Sequence, residues 1–138
     1  MGATSLAGPP ATWDIVVRRF RCTVCRAART VQPAGLKARL RYSLPVIALA
    51  LMAWAVWLWP AAQVREQLSP WQKLGATDAD RWPSLRRWAR RAEQLFRLPE
   101  AAATTARAQA LRAVFLVRAR GPTDRREAEQ VTIGAAVR

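Results

Sequence analysis

The sequence predicts a mainly α-helical chain with a short β-hairpin near its N-terminus. Three observations carry that expectation. A charge-free apolar run, Leu44 to Trp59, lies between flanks rich in arginine. Residues 83–97 carry apolar side chains at helical spacing, and two short β-prone runs bracket Cys22-Thr-Val-Cys25.

Residues 1–12 are small and turn-prone, and are expected to be disordered. Residues 13–35 form the next unit. Ile15, Val16 and Val17 lead into Arg18-Arg19-Phe20-Arg21, and Arg26-Ala-Ala-Arg29-Thr30-Val31 follows the second cysteine. This reads either as a hairpin whose turn is half a zinc knuckle, with Cys22 and Cys25 as ligands, or as a plain hairpin with two free thiols. Gln32-Pro33-Ala-Gly35 ends it, and a basic connector runs from Leu36 to Tyr42.

Residues 36–98 read as a small helical domain. Ser43 is placed to cap a helix whose first turn holds Pro45, and Pro60 ends that helix because it has no amide to donate. Ala61 to Leu68 restarts a short helix with Ala61, Val64 and Leu68 on one face, before Ser69-Pro70 and a loop rich in Gly, Thr and Asp. The helix over 83–97 is the most legible. At 100° per residue Leu85, Trp88, Ala89, Ala92, Leu95 and Phe96 share an arc of about 120°. Arg86, Arg87, Arg90, Arg91, Glu93, Gln94 and Arg97 occupy the opposite side. An Ala-rich helix is expected over 99–120, and Gly121-Pro122 with the charged run after it suggests a flexible tail over 121–138.

Composition narrows the function. The 23 bases and 9 acids leave a net charge of +14, which calls for a polyanionic partner, either nucleic acid or an anionic membrane surface. The chain has no His, which removes imidazole-based acid–base chemistry and imidazole metal ligands. Its carboxylates are scattered rather than paired, so no metal-dependent strand-transfer site is expected, and the chain is not expected to be an enzyme. Two Cys supply no disulfide framework.

The apolar run has two readings. A charge-free window from Leu44 to Val64, with Trp54, Trp57 and Trp59 toward one end, suits the span of a single-pass inner-membrane protein with basic flanking segments. Leu44 to Trp59 alone would make a helix of roughly 24 Å, against a hydrocarbon core of about 30 Å. Net charge is +7 on each side of the window, so only the nearby Lys37, Arg39 and Arg41 against Arg65 would orient it. Residues 1–12 lack the charged and apolar regions of a secretory signal, so insertion would rest on the run itself. The other reading makes it the buried helix of a small DNA-binding domain.

The order of motifs bears on that choice. Arg18-Arg19-Phe20-Arg21-Cys22-Thr-Val-Cys25, Pro33, Arg41-Tyr42-Ser43 and the Ala/Leu-rich helix come first. Val64-Arg65-Glu66, Leu68-Ser69-Pro70-Trp71, Gly75-Ala76-Thr77 and Trp82-Pro83-Ser84-Leu85-Arg86-Arg87-Trp88 follow. Over roughly residues 15 to 97 this resembles a family of transposon-associated bacterial proteins that pair a zinc ribbon with a helix-turn-helix. The resemblance implies that 44–59 is a core helix and that 83–97 is the recognition helix. It also implies that Ser84, Arg86, Arg87, Arg90 and Arg91 face DNA while Leu85 and Trp88 anchor the helix. Such a chain would be cytoplasmic, an accessory or fragment of a transposase-like protein.

Two features depart from that pattern. A zinc ribbon uses four ligands, so the site is incomplete in one chain; an N-terminally truncated or decayed member is expected, with metal binding either lost or completed as a Cys₄ site between two chains of a homodimer. The gap from Leu68 to Trp82 also exceeds the three- or four-residue turn of a compact helix-turn-helix. An arginine stripe is commonly just a solvated face. If it lies on a duplex, phosphate contacts supply affinity, and Arg90 with Gln94 are the candidates for base edges.

Overall fold

The computed structural model describes residues 14–31, 42–69, 82–102 and 105–137. Two antiparallel strands, β1 (Arg18–Arg21) and β2 (Ala28–Val31), precede six helices. These are α1 (Leu44–Ala55), α2 (Ala61–Leu68), α3 (Pro83–Arg90), α4 (Ala92–Phe96), α5 (Ala106–Arg118) and α6 (Glu127–Ala136). The expected disorder of residues 1–12, most of the basic connector and the loop before Trp82 lie outside the described residues.

α1 is the centre of the bundle, and α2, α3, α5 and α6 all pack on it. Leu44, Ile47, Ala48, Ala50, Leu51, Met52, Ala53 and Ala55 are buried, so the helix is covered nearly all round. That accounts for its lack of charge: a helix apolar on every side is stable when other helices enclose it. Ser43 occupies the cap position and Pro45 the first turn as expected, although the Ser43 hydroxyl makes no capping bond.

The helix is shorter than the apolar run. It stops at Ala55, where Trp57 N–H reaches back to Met52 O (3.2 Å) and Trp59 N–H to Ala53 O (3.0 Å). Leu58 turns left-handed at φ 58°, and the residue before Pro60 is steered away from helix by the proline ring. A continuous span over 44–64 is therefore corrected to two helices with a break between them. Among the described residues no helix is long and apolar enough to cross a membrane.

α2 buries Val64 and Leu68, with Ala61 half-buried, as its spacing predicts. The helix expected over 83–97 is broken instead at Arg91 (φ −104°, ψ 7°). Its amide is shared between Arg87 O (3.2 Å) and Trp88 O (3.1 Å), after which α4 resumes. Leu85, Trp88, Ala89, Ala92, Leu95 and Phe96 are buried all the same. α4 ends with Arg97 left-handed (φ 52°) and Leu98 N–H on Glu93 O at 2.9 Å, a Schellman closure made without glycine. α5 starts at Ala106, later than expected, because Thr105 caps it by accepting from Ala108 N–H at 3.2 Å.

The flexible tail expected over 121–138 is corrected as well. α6 lies there, packs on α1 and α5, and buries Gln130, Val131, Gly134 and Ala135. Gly134 allows the close approach: a Cβ at that position would fall on the Val117 carbonyl of α5. The charged stretch before α6 is its exposed entry. Arg118 draws the helix in, donating to Gln130 Oε1 (2.7 Å) and to Glu127 Oε1 (2.6 Å).

Candidate nucleic-acid interface

Three rings hold α3 in place. Tyr42, Trp82 and Trp88 meet edge to face, with centroids 5.7 Å (Tyr42–Trp82), 5.1 Å (Tyr42–Trp88) and 5.0 Å (Trp82–Trp88) apart. Such pairs add about 0.5–1.5 kcal/mol each beyond their burial. Tyr42 also hydrogen-bonds Ser69 Oγ through its hydroxyl at 2.8 Å. One side chain thus ties the end of α2 and the start of α3 to the base of α1, so the long gap between them leaves and returns at nearly one place.

With its inner face fixed on α1 and α5, α3 turns Arg86, Arg87 and Arg90 outward, and Arg91 is exposed at the break. Ser84 is half-buried and accepts from Arg87 Nη2 at 3.3 Å. Gln94 is exposed on α4, across the break from Arg90, so those two do not sit on one continuous helix. Arg87 and Arg90 occupy the last turn of α3, where their charge also suits the helix dipole.

Other arginines in the bundle are engaged elsewhere. Arg112 donates to Glu93 Oε1 (2.9 Å) and Pro99 O (2.6 Å). Arg120 donates to Phe96 O (2.7 Å) and Arg97 O (3.1 Å), closing the carbonyl end of α4. Arg65 is buried in α2. By contrast, among the described residues no carboxylate lies within ion-pair distance of Arg86, Arg87, Arg90 or Arg91. Net charge alone could not separate these groups, because the pairings join residues 9 to 24 positions apart.

The two cysteines fall in the hairpin turn. Cys22 N–H bonds Ala27 O (2.8 Å) and Arg26 N–H bonds Cys22 O (3.1 Å), with Arg26 left-handed at φ 62°. That conformation usually selects glycine. The Cys25 amide points at Cys22 Sγ (3.4 Å), and this contact first, then the Val24 amide, holds the Cys22 thiol below its ordinary pKa. Among the described residues no third His, Cys, Asp or Glu joins them.

Every residue from Asp14 to Val31 is exposed. Register puts Arg19 opposite Thr30 and Arg21 opposite Ala28 on one face, with the Arg18–Val31 and Phe20–Arg29 pairs on the other. The first face lines an open concavity of about 520 Å³ together with Arg26. Strand alternation could have found it, since Arg19 and Arg21 are two residues apart. Comparison with protein-family models, curated proteins and solved structures returns no match.

Proposed function

We propose that the chain is a DNA-binding module of the helix-turn-helix kind associated with mobile elements, an accessory or fragment rather than a catalyst. Its main contact with duplex DNA is the outer side of α3. One observation carries this reading. Arg86, Arg87, Arg90 and Arg91 are exposed without a carboxylate partner among the described residues, on an element whose other side is buried by Leu85, Trp88 and Ala89. An anchored element presenting four guanidiniums meets phosphates with little ordering cost, and planar guanidinium suits both phosphate and guanine.

Tyr42 brings the end of α2 and the start of α3 within reach of one side chain, although each of those helices packs on α1 rather than on the other. Ser84 acts by steering Arg87, and Gln94, exposed on α4, is the candidate for a base edge beside Arg90. A cytoplasmic location goes with this reading as part of the same proposal. Zinc binding by a monomer is weak in this reading, and half a zinc per chain accompanied by dimerisation would mark a shared Cys₄ site at Cys22 and Cys25.

The test is the salt dependence of binding to a short duplex. Replacing Arg86, Arg87, Arg90 and Arg91 together by Gln should flatten log affinity against log salt by about 0.9 for each phosphate no longer neutralised, with helix content unchanged. An unchanged slope would make these arginines a solvated face and remove the proposal's best residues.

A further inference from the structure

We infer that the hairpin holds a second phosphate site. Arg19, Arg21 and Arg26, on one face of β1–β2 and its turn, grip a nucleic-acid backbone independently of α3. The identity of the polyanion rests on the DNA-binding reading, while the site stands on its own geometry. Those three guanidinium side chains and Ala28 line the same concavity of about 520 Å³. Ala28 pairs with Arg21 in the register and is too small to fill the space between the arginines. Arg26 joins them from the left-handed position that reverses the chain.

Charge points the same way. From Asp14 to Val31 there are five arginines and a single acid, Asp14. Burial is the other consideration. A two-stranded hairpin that covers no apolar surface is marginal in water, and an occupant across its cationic face offsets the mutual repulsion of the guanidiniums. A two-stranded ribbon also fits the width of a DNA groove, where its flanks meet phosphates. An extended, open cationic face suits a run of phosphodiesters better than one small anion.

The experiment uses the full chain and a short duplex DNA. Changing Arg19, Arg21 and Arg26 together to Gln should lower the salt slope by about 0.9 for each phosphate no longer neutralised, which for two phosphates is roughly sixty-fold in affinity at 0.1 M salt. The triple Lys variant should restore the slope, because charge is kept; failure to restore it would overturn the site. Arg18→Gln with Arg29→Gln, on the opposite face, should leave the slope alone, and an equal loss there would reduce the proposal to diffuse charge.

A second readout separates this site from α3. Cys22 and Cys25 are exposed in the turn between Arg21 and Arg26. Saturating duplex should slow their alkylation by a bulky maleimide in the wild-type chain and in the α3 quadruple Gln variant, but not in the hairpin triple Gln variant. Loss of slope in the α3 variant with no thiol protection by DNA would keep the α3 reading and overturn this one. The reverse pattern would keep the hairpin site and remove α3. Inorganic phosphate at matched ionic strength, or phosphatidylglycerol vesicles, protecting the thiols as well as duplex DNA does would overturn the assignment to a nucleic-acid backbone.

Discussion

The hairpin and the helical bundle are both rich in arginine, yet they are ordered by opposite means. In the bundle, α1 is enclosed by four other helices, and Arg112, Arg118 and Arg120 each close a helix end or bridge two helices. In the hairpin nothing is buried; order comes from strand pairing, a left-handed Arg26 and amides gathered around one sulfur. The same residue type therefore does different work in the two regions. Where a core exists, an arginine supplies donors to helix-end carbonyls or to a side chain on a neighbouring helix; where none exists, it presents charge to the outside. α3 combines both arrangements, with an inner face in the core and an outer face like that of the hairpin.

Substitutions in the bundle should break that contrast hardest. Trp88→Ala removes a ring that meets both Tyr42 and Trp82 and leaves a cavity beneath α3, at an expected cost of about 3–5 kcal/mol. Thermal melting followed by circular dichroism should show the loss, while alkylation of Cys22 and Cys25 stays as in the parent chain. If the thiols change reactivity together with the melt, the hairpin depends on the bundle and the two regions are one.

A smaller effect is expected at Gly134→Ala. The added methyl meets backbone on α5, not the yielding end of a side chain, so α6 must move off Val117 at about 1–3 kcal/mol. Urea midpoints measure it. An unshifted midpoint would mean that α6 is held loosely, nearer to the flexible tail that its charged approach suggests.

Arg120→Gln and Arg90→Gln make a matched pair. The first strips two carbonyls at the end of α4 of their donor and should cost about 1 kcal/mol. The second alters an exposed guanidinium with no carboxylate partner among the described residues and should stay within about 0.5 kcal/mol. Equal shifts in the urea midpoint would erase the distinction between structural and presenting arginines.

Spacing made part of the interior legible: the hairpin with its cysteine turn and the inner face from Leu85 to Phe96 follow from it, whereas the uniformly apolar run of α1 left a membrane span and a core helix both open. Element ends were not legible in the same way. Local backbone turns stop α1 at Ala55 and break α3 at Arg91, and nothing at those residues announces them. α6 was hidden because its buried residues, Gln130, Val131, Gly134 and Ala135, include only one large apolar side chain and make no strong apolar stripe. Of the interface, the outward arginines of α3 were readable. The hairpin face needed its register, and the sorting of the remaining arginines needed partners distant in sequence.

The smallest effect is the most specific to the hairpin. With Cys25→Ser leaving one thiol, Cys22 keeps the backbone amides of residues 24 and 25 that favour its thiolate. Its pKa is lowered, so the thiolate forms at lower pH, and the rate of iodoacetamide alkylation should rise through a midpoint below that of an ordinary thiol. In concentrated guanidinium those amides disperse and the midpoint should move up. In the Trp88→Ala background it should stay low without denaturant, because none of the groups that shift it belongs to the bundle. A single midpoint common to native and denatured chains would show that the turn does not persist in solution, and the contrast between a cored and a coreless region would then reduce to a folded domain and a basic tail.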